Sequence, residues 1–73
     1  MSLSIYTRDT CGPCVSLKKF LTYKGVEFVE KSIDEECNLV EMLKLTGVMI
    51  VPTIVKGDNV IIGLNFGALA KLL

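Results

Sequence analysis

The pattern of apolar and polar positions in the first thirty residues predicts three elements. Residues 3–7 alternate apolar with polar side chains and include β-branched and aromatic residues, which predicts a strand. Residues 26–31 show a second strand pattern. From Pro13 to Gly25 apolar residues recur at helical spacing, which predicts a helix of about three turns with the apolar face Leu17, Phe20 and Leu21. The segment therefore predicts a β-α-β unit with parallel strands and a right-handed crossover.

The next segment predicts a second helix. Ser32 and Glu35 have the spacing of a capping box, Asp34 is a competing N-cap, and acidic residues suit a helix start. The helix is expected to end at Thr46-Gly47. Its apolar face is predicted to hold Leu39, Val40 and Leu43.

The last third of the chain predicts a hairpin and a short helix. Residues 48–55 are rich in β-branched side chains and predict a third strand. A tight turn at Gly57-Asp58 or at Asp58-Asn59 leads to a fourth strand at residues 60–62. Asn65 can cap a final helix that packs on the sheet through Phe66, Leu69 and Leu73.

Size and charge limit what such a chain can do. With 73 residues we expect one α/β domain, residues 1–73, in the order β-α-β-α-β-β-α with a four-stranded mixed sheet flanked by helices. Eight Lys and Arg balance eight Asp and Glu, so the charge does not favour a nucleic-acid partner. The longest apolar stretch, residues 47–54, contains Pro52 and is far shorter than the roughly 20 residues of a membrane span. We expect a monomer, and a cytoplasmic one because Met1-Ser2 and the residues after it lack a secretory signal pattern.

Two of the three cysteines, Cys11 and Cys14, fall where the first strand ends and the first helix begins. A Cys11 thiolate at the helix N-cap would accept the backbone N–H of Cys14 and lie at the positive end of the helix dipole, and both effects favour the ionised form. Pro13 stiffens the turn, and Gly12 leaves space for a partner. The spacing permits a disulfide that opens and closes without backbone movement. It predicts thiol–disulfide exchange, with Cys11 as nucleophile and Cys14 as resolving thiol.

Charged neighbours and a possible metal site also bear on the cysteines. Arg8 would support a Cys11 thiolate while the neighbouring Asp9 would oppose it, and the sequence does not rank the two effects. A Cys-x-x-Cys pair is also half of a zinc site, but with Cys37 alone and no histidine the second half is missing, so no metal is predicted. Cys37 is expected to be a small packed residue near the start of the second helix.

Besides the dithiol, the chain has the motifs Tyr6-Thr7, Val51-Pro52-Thr53 and Gly57-Asp58 with Gly63. With these motifs it resembles the glutaredoxin/thioredoxin superfamily over essentially the whole chain. The resemblance implies a thioredoxin-like (glutaredoxin) fold. The dipeptide Gly12-Pro13 is that of thioredoxins, but thioredoxins have an extra N-terminal strand and helix and usually carry Trp where this chain has Thr10. The resemblance is greatest to the glutaredoxin-like redoxins that reduce ribonucleotide reductase, the NrdH type.

This resemblance implies a protein-disulfide reductase that needs no cofactor besides its redox-active disulfide. It also implies that Pro52 is cis, lies against the dithiol and leaves the backbone of Val51 free to pair with an extended substrate. Glutaredoxins that bind glutathione carry a Gly-Gly pair and then an acidic residue, whereas here Gly63 is followed by Leu64 and the acidic region holds Phe66-Gly67. Thioredoxin reductase is therefore the expected donor, and ribonucleotide reductase or another disulfide-containing protein the expected acceptor.

Two alternatives remain open at this point. In a glutathione-dependent glutaredoxin, Leu64 and Phe66 would simply pack the last helix. In an iron–sulfur-binding module, the first cysteine and glutathione would hold a cluster between two subunits. Pro13 and the weak glutathione site argue against this alternative. In the favoured interpretation, substrate contacts are expected from Arg8, Thr10, Gly12, Pro13, Val51, Pro52, Gly63 and Leu64.

Overall fold

The chain folds into a four-stranded mixed sheet with three helices. The computed structural model describes residues 3–73, so Met1 and Ser2, on which the expected absence of a secretory signal partly rests, lie outside the described residues. The elements are β1 (Leu3–Thr7), α1 (Gly12–Tyr23), β2 (Phe28–Ser32), α2 (Glu36–Thr46), β3 (Thr53–Lys56), β4 (Asn59–Ile62) and α3 (Phe66–Leu72). The strand order is β2-β1-β3-β4, with β2 parallel to β1 and with β3 antiparallel to β1 and β4. The predicted element order and the α/β class are confirmed.

The core has two layers because β1 is a central strand and is buried on both faces. Ile5 lies on the face covered by α1 and α3, in a cluster with Leu3, Leu17, Leu21, Ile54 and Leu69. Tyr6 points to the opposite face, where it packs with Ile33 and with Met42 of α2. Successive side chains of a strand alternate between faces, so β1 organises both layers. Within residues 3–73, no helix combines the length and the apolar character that crossing a bilayer requires.

Two predicted turns are confirmed. Gly47 ends α2 with a left-handed backbone at φ 74°, and its N–H donates to the carbonyl of Leu43 at 2.8 Å. The β3–β4 hairpin has the two-residue loop Gly57-Asp58, the first of the two predicted alternatives. Gly57 has φ 60° whereas Asp58 does not have positive φ, which is the type II′ arrangement that suits the twist of a hairpin.

The start of α2 differs from the prediction. Its N-cap is Glu35, whose side chain makes no capping hydrogen bond, so both the capping box of Ser32 with Glu35 and the N-cap at Asp34 were wrong. β2 begins at Phe28, two residues later than the predicted start at residue 26. It ends at Ser32, one residue later than predicted. Because the strand uses Ser32, the helix begins later, and the Ser32 hydroxyl instead accepts the N–H of Asp34 at 3.2 Å.

The apolar face of α2 also differs from the prediction. The fully buried residue of this helix is Met42, with Leu39 partly buried beside it. Val40 and Leu43 are 43% and 39% exposed, so their assignment to the core face was wrong. Leu39 and Met42 are three positions apart and share the face that meets the sheet. At 100° per residue, Leu43 lies at the side of this face and Val40 points away from it.

The third strand is shorter than predicted, and the last helix buries fewer residues. Val48, Met49 and Ile50 lie outside the sheet and are 38% to 56% exposed, because β3 begins only at Thr53, after Pro52. Proline has no N–H to contribute to a ladder, so a strand starts most easily after it. In α3, Leu69 is fully buried, but Phe66 and Leu73 are each 44% exposed. Seven residues make about two turns, which present only a narrow face to the sheet.

Candidate active site

The sheet brings one end of every strand to a common edge. The last residues of β1 and β2, Thr7 and Ser32, are paired. Because β3 is antiparallel to both neighbours, continuing the register one step beyond Thr53 places Pro52 beside Thr7 on one side and beside Gly63 on the other. The N–H of Gly63 donates to the carbonyl of Pro52 at 2.8 Å. This edge, formed by Thr7, Ser32, Pro52 and Gly63, is called the dithiol edge because the chain continues from it to the two cysteines.

Cys11 is the N-cap of α1, as predicted. Its backbone is extended (φ −102°, ψ 107°), and its Sγ accepts the backbone N–H of Cys14 at 3.1 Å. The two sulfur atoms are at disulfide distance, and the Cα atoms are 5.2 Å apart. Pro13 lies in the first helical turn, where its missing N–H has no intrahelical partner. A side chain at Gly12 would meet no atom within 4 Å, so the space beside Gly12 is open.

The two cysteines differ in accessibility. Cys14 is only 1% exposed, whereas Cys11 is partly exposed at the helix start. An incoming disulfide can therefore reach Cys11 Sγ and not Cys14 Sγ. The N–H of Cys14 and the helix dipole both stabilise negative charge on Cys11, which is the chemical requirement for an attacking thiolate. The arrangement can carry out thiol–disulfide exchange in which Cys11 reacts first and Cys14 then displaces the partner.

The segment before the nucleophile, residues 8–11, is called the dithiol loop and is held by backbone hydrogen bonds. The N–H of Cys11 donates to the carbonyl of Arg8 at 3.3 Å. The N–H of Asp9 donates to Oδ2 of Asp34, which lies between β2 and α2, at 3.1 Å. The side chains of Arg8 and Thr10 are exposed, so Arg8 fixes the loop through its carbonyl oxygen. Sequence reasoning missed this role of Asp34, because the two partners are 25 positions apart and the residue pattern suggested only a helix cap.

Val51 and Pro52 lie at the dithiol edge, and the bond between them is cis, as expected. Pro52 is buried, and the side chain of Val51 is partly buried against the cluster that contains Tyr6 and Met42. Among residues 3–73, the backbone N–H and carbonyl of Val51 have no hydrogen-bond partner. Val51 immediately precedes Pro52, whose carbonyl accepts the N–H of Gly63 at the dithiol edge. The polar backbone groups of Val51 are therefore available for pairing at the dithiol edge.

Gly63 and Leu64 have different environments. Gly63 has φ 83° and is tied to Pro52, so it belongs to the dithiol edge. Leu64 is partly buried and packs against the core cluster that contains Leu69. Phe66 is 44% exposed, and its ring lies 5.0 Å from that of Phe20 at the far end of α1. Leu64 therefore contributes mainly to packing, whereas Phe66 leaves apolar surface in contact with solvent.

A carboxylate lies on the same sheet face as α1. Glu30 Oε2 accepts hydrogen bonds from Thr7 Oγ1 at 2.8 Å and from Lys18 Nζ at 3.0 Å. These two hydrogen bonds lower the pKa of Glu30, the Thr7 hydroxyl contributing most. Thr7 is 1% exposed, so its hydroxyl needs this partner. The contact secures the last residue of β1 just before the dithiol loop.

A second carboxylate lies on the opposite face, beside α2. Glu41 accepts hydrogen bonds from Lys31 and from the buried hydroxyl of Tyr6. The Lys31 ammonium is the main cause of a lowered pKa at Glu41. Burial raises the pKa of Tyr6 far above its usual value, and the Glu41 carboxylate adds to the shift. This network fastens α2 to β1 and β2.

Cys37 is the second residue of α2, near the start of that helix as predicted, but it is exposed and not packed. The residue that meets the sheet is Met42, five positions further on. At 100° per residue, five positions correspond to a rotation of about 140°, so Cys37 points away from the core. The expectation that it is a packed residue was wrong.

Comparison with known proteins agrees with this geometry. Residues 3–61 match the Glutaredoxin family. The glutaredoxin-like protein NrdH of Lactococcus lactis subsp. cremoris is 33% identical over 70 residues, which are 96% of this chain and 97% of that protein. The glutaredoxin-like protein NrdH of Salmonella typhimurium is 31% identical over 58 residues, which are 80% of this chain and 72% of that protein.

Solved structures show the same architecture. The thioredoxin-like protein BC3987 superimposes with a TM-score of 0.91 at 28% identity, covering 97% of this chain and 99% of that one. The NrdH-redoxin of Escherichia coli, described as a glutaredoxin-like protein with a thioredoxin-like activity profile, superimposes with a TM-score of 0.85 at 26% identity, covering 100% of this chain and 96% of that one. The predicted thioredoxin-like fold is confirmed.

The dithiol geometry and these relatives together identify the chemistry and the family of the chain. A partly exposed N-cap cysteine, a buried second cysteine three residues later and relatives that share this fold define a thiol–disulfide oxidoreductase. The chain therefore belongs to the glutaredoxin family and is a glutaredoxin-like protein of the NrdH type.

Proposed function

We propose that this protein reduces disulfides in other proteins and donates electrons to ribonucleotide reductase. Cys11 thiolate attacks the substrate disulfide, which forms a mixed disulfide and releases one substrate thiolate. Cys14 then attacks Cys11 Sγ, which releases the second substrate thiolate and leaves the Cys11–Cys14 disulfide. The substrate gains the two electrons that the dithiol loses.

The observation that carries this proposal is the asymmetry of the dithiol. Cys11 caps α1, is partly exposed and accepts the N–H of Cys14, while the Cys14 side chain is buried below it. This asymmetry supports Cys11 as the residue of the first step and Cys14 as the residue of the second. The redox-active disulfide supplies the whole reaction, so the proposal includes no metal or organic cofactor.

Substrate contacts are proposed for the dithiol loop and the dithiol edge. The free backbone of Val51 pairs with an extended segment of the substrate protein beside its cysteine. The exposed surfaces of Arg8, Thr10, Gly12 and Pro13 border the incoming disulfide. Pro52 and Gly63 shape the floor of the site, and Leu64 supports it from the core.

The reducing partner is proposed to be thioredoxin reductase, and the setting is proposed to be the cytoplasm, with the protein acting as a monomer. The relatives named NrdH support the assignment to ribonucleotide reductase. Leu64 and the half-exposed Phe66 occupy the region in which glutathione-binding glutaredoxins carry glycine and a carboxylate. Without a carboxylate here, the amino group of glutathione lacks a charge-assisted hydrogen bond, of a kind that contributes roughly 1.5–3 kcal/mol.

A reductase panel tests the proposal. The oxidised protein is incubated with thioredoxin reductase and NADPH, or with glutathione, glutathione reductase and NADPH, and a disulfide-containing protein is added as acceptor. NADPH consumption is expected to be faster with thioredoxin reductase, and Cys11→Ser should remove it. Equal or faster turnover with glutathione would contradict the proposed donor. Phe66→Asp provides the matched variant, because a new carboxylate at this position should increase glutathione-dependent turnover by about tenfold or more.

A further inference from the structure

The side chain of Glu30 connects the two segments that flank the dithiol. Its Oε2 atom is 2.8 Å from Thr7 Oγ1 and 3.0 Å from Lys18 Nζ. Thr7 is the last residue of β1, immediately before the dithiol loop, and Lys18 lies on α1, one helical turn beyond Cys14. A single carboxylate oxygen therefore joins the strand that ends before Cys11 to the helix that begins after it.

The charges of this contact lie within electrostatic reach of the dithiol. Lys18 is seven positions after Cys11, which corresponds to about 10 Å along the helix axis. Side chains of a helix lean toward its N-terminus, so the ammonium group is carried toward the sulfur atoms. Glu30 faces this ammonium from β2, and the pair as a whole has no net charge. Other charged groups around the dithiol loop are Arg8, Asp9 and Asp34.

We propose that Glu30 is a positioning residue that cancels the charge of Lys18 and thereby sets the reduction potential of the Cys11–Cys14 pair. The inference rests on the proposed function only in taking this dithiol as the redox group. The hydrogen bond from Thr7 keeps Glu30 in place, and Glu30 keeps the Lys18 ammonium paired.

The direction of the expected shift in reduction potential follows from the negative charge of the reduced dithiol. Two glutathione thiols supply two electrons and two protons and become glutathione disulfide, and the S–S bond of the protein breaks. Cys14 takes one proton, the other passes to the buffer, and Cys11 remains a thiolate. A nearby cation stabilises that thiolate and makes the disulfide a stronger oxidant, whereas a nearby anion has the opposite effect. Removing Glu30 leaves a cation, and removing Lys18 leaves an anion. The two changes must therefore shift the equilibrium in opposite directions.

The test measures the redox equilibrium of the dithiol in glutathione buffers at pH 7 and low ionic strength, with alkylation and mass spectrometry as the readout. Cys37→Ser is the background for all variants. Glu30→Gln keeps an oxygen for the Thr7 hydroxyl, and it should favour the reduced dithiol by about two- to threefold, the effect of a unit charge about 10 Å away in a medium of high dielectric constant. Because a tenfold change corresponds to 29.6 mV, the shift is about 9–14 mV.

The partner variants complete the cycle. Lys18→Gln should favour the disulfide by a similar factor, and the double variant Glu30→Gln with Lys18→Gln should return to the value of the parent protein. Glu27→Gln, just before β2 and next to the opposite end of the sheet, is the control and should change nothing. Both shifts should collapse in 1 M salt, where the Debye length is only about 3 Å.

Shifts in the same direction for Glu30→Gln and Lys18→Gln would overturn the proposal, as would shifts that persist unchanged in 1 M salt. Either result would mean that the contact acts through structure and not through charge. The measurement needs no partner protein, so its failure is distinguishable from failure of the reductase panel.

Discussion

α1 and α2 both carry a cysteine in their first turn, yet the two turns are built differently. In α1 the N-cap is itself a cysteine, and its sulfur accepts the N–H of Cys14. In α2 the side chain of the N-cap Glu35 makes no capping hydrogen bond, and Cys37 is exposed to solvent. A cysteine near a helix start is therefore not by itself a dithiol site. α1 adds a second cysteine in the same turn and a sulfur in the capping position, and α2 has neither.

The two helices also differ in how they are attached to the sheet. α1 buries Cys14, Leu17 and Leu21, whereas α2 buries only Met42. The attachment of α2 is supplemented by the network of Tyr6, Glu41 and Lys31. The helix that carries the chemistry is therefore fixed mainly by apolar packing, and the other helix depends more on charged groups at the surface.

The largest effect is expected from the cysteines themselves. Cys11→Ser should abolish disulfide reduction, because it removes the attacking thiolate. Cys14→Ser should accumulate a mixed disulfide through Cys11, which non-reducing electrophoresis and mass spectrometry detect. Cys37→Ser is the matched control from α2 and should leave turnover unchanged. Loss of turnover in Cys37→Ser would contradict the distinction between the two helix starts.

A smaller effect is expected from the buried residues that attach the helices. Leu17→Ala in α1 and Met42→Ala in α2 should each lower the free energy of unfolding by about 2–5 kcal/mol, because each leaves a cavity in the core. Val40→Ala should change it by less than about 1 kcal/mol, since this side chain is 43% exposed. Urea denaturation at equilibrium measures all three. If Val40→Ala lowered the free energy of unfolding as much as Met42→Ala, the predicted apolar face of α2 would be correct after all.

The smallest effect concerns the pH dependence of the attachment of α2. Hydrogen bonds from Lys31 and Tyr6 lower the pKa of Glu41 in the folded protein. Because its pKa is lowered, the ionised Glu41 carboxylate stabilises the fold above the pKa of Glu41 in the unfolded chain, near 4.5. This stabilisation is lost as the pH falls through the pKa of Glu41 in the folded protein. Glu41→Gln should therefore reduce the loss of stability as the pH falls below about 4.5.

The same urea titrations, repeated at several pH values, measure this slope, with Glu36→Gln on the same helix as control. Glu30 on the α1 side has a lowered pKa for the same reason, so Glu30→Gln should flatten the slope as well. An unchanged slope in both variants would mean that neither carboxylate is coupled to folding.

Local patterns were sufficient for several features. The element order, the N-cap position of Cys11 and the Gly57-Asp58 hairpin depend on neighbouring residues and were predicted correctly. Asn65 was likewise predicted as the cap of α3, and its side chain accepts the N–H of Ala68 at 3.1 Å. Such features follow from hydrogen bonds and backbone preferences within a few positions, which a single sequence displays.

The features that local patterns missed depend on packing. Ser32 and Glu35 have capping-box spacing, but β2 retains Ser32 because it pairs with Thr7. Residues 48–50 have strand composition, but they lie outside the sheet because the ladder begins only after Pro52. In both cases a long-range pairing outweighed a local preference.

The chemistry of this protein is readable from the linear chain, which has two cysteines three positions apart at a strand-to-helix junction, with the first as N-cap. Their proximity along the chain is sufficient, because one helical turn brings both sulfur atoms together. The surroundings of the two cysteines depend on the folded chain. Strand pairing brought Pro52 and Gly63 to the dithiol edge, and it placed Glu30 between Thr7 and Lys18. These contacts join residues more than ten positions apart. They depend on the register of the strands, which is set by the burial of both faces of β1. That burial requires the whole chain to be folded.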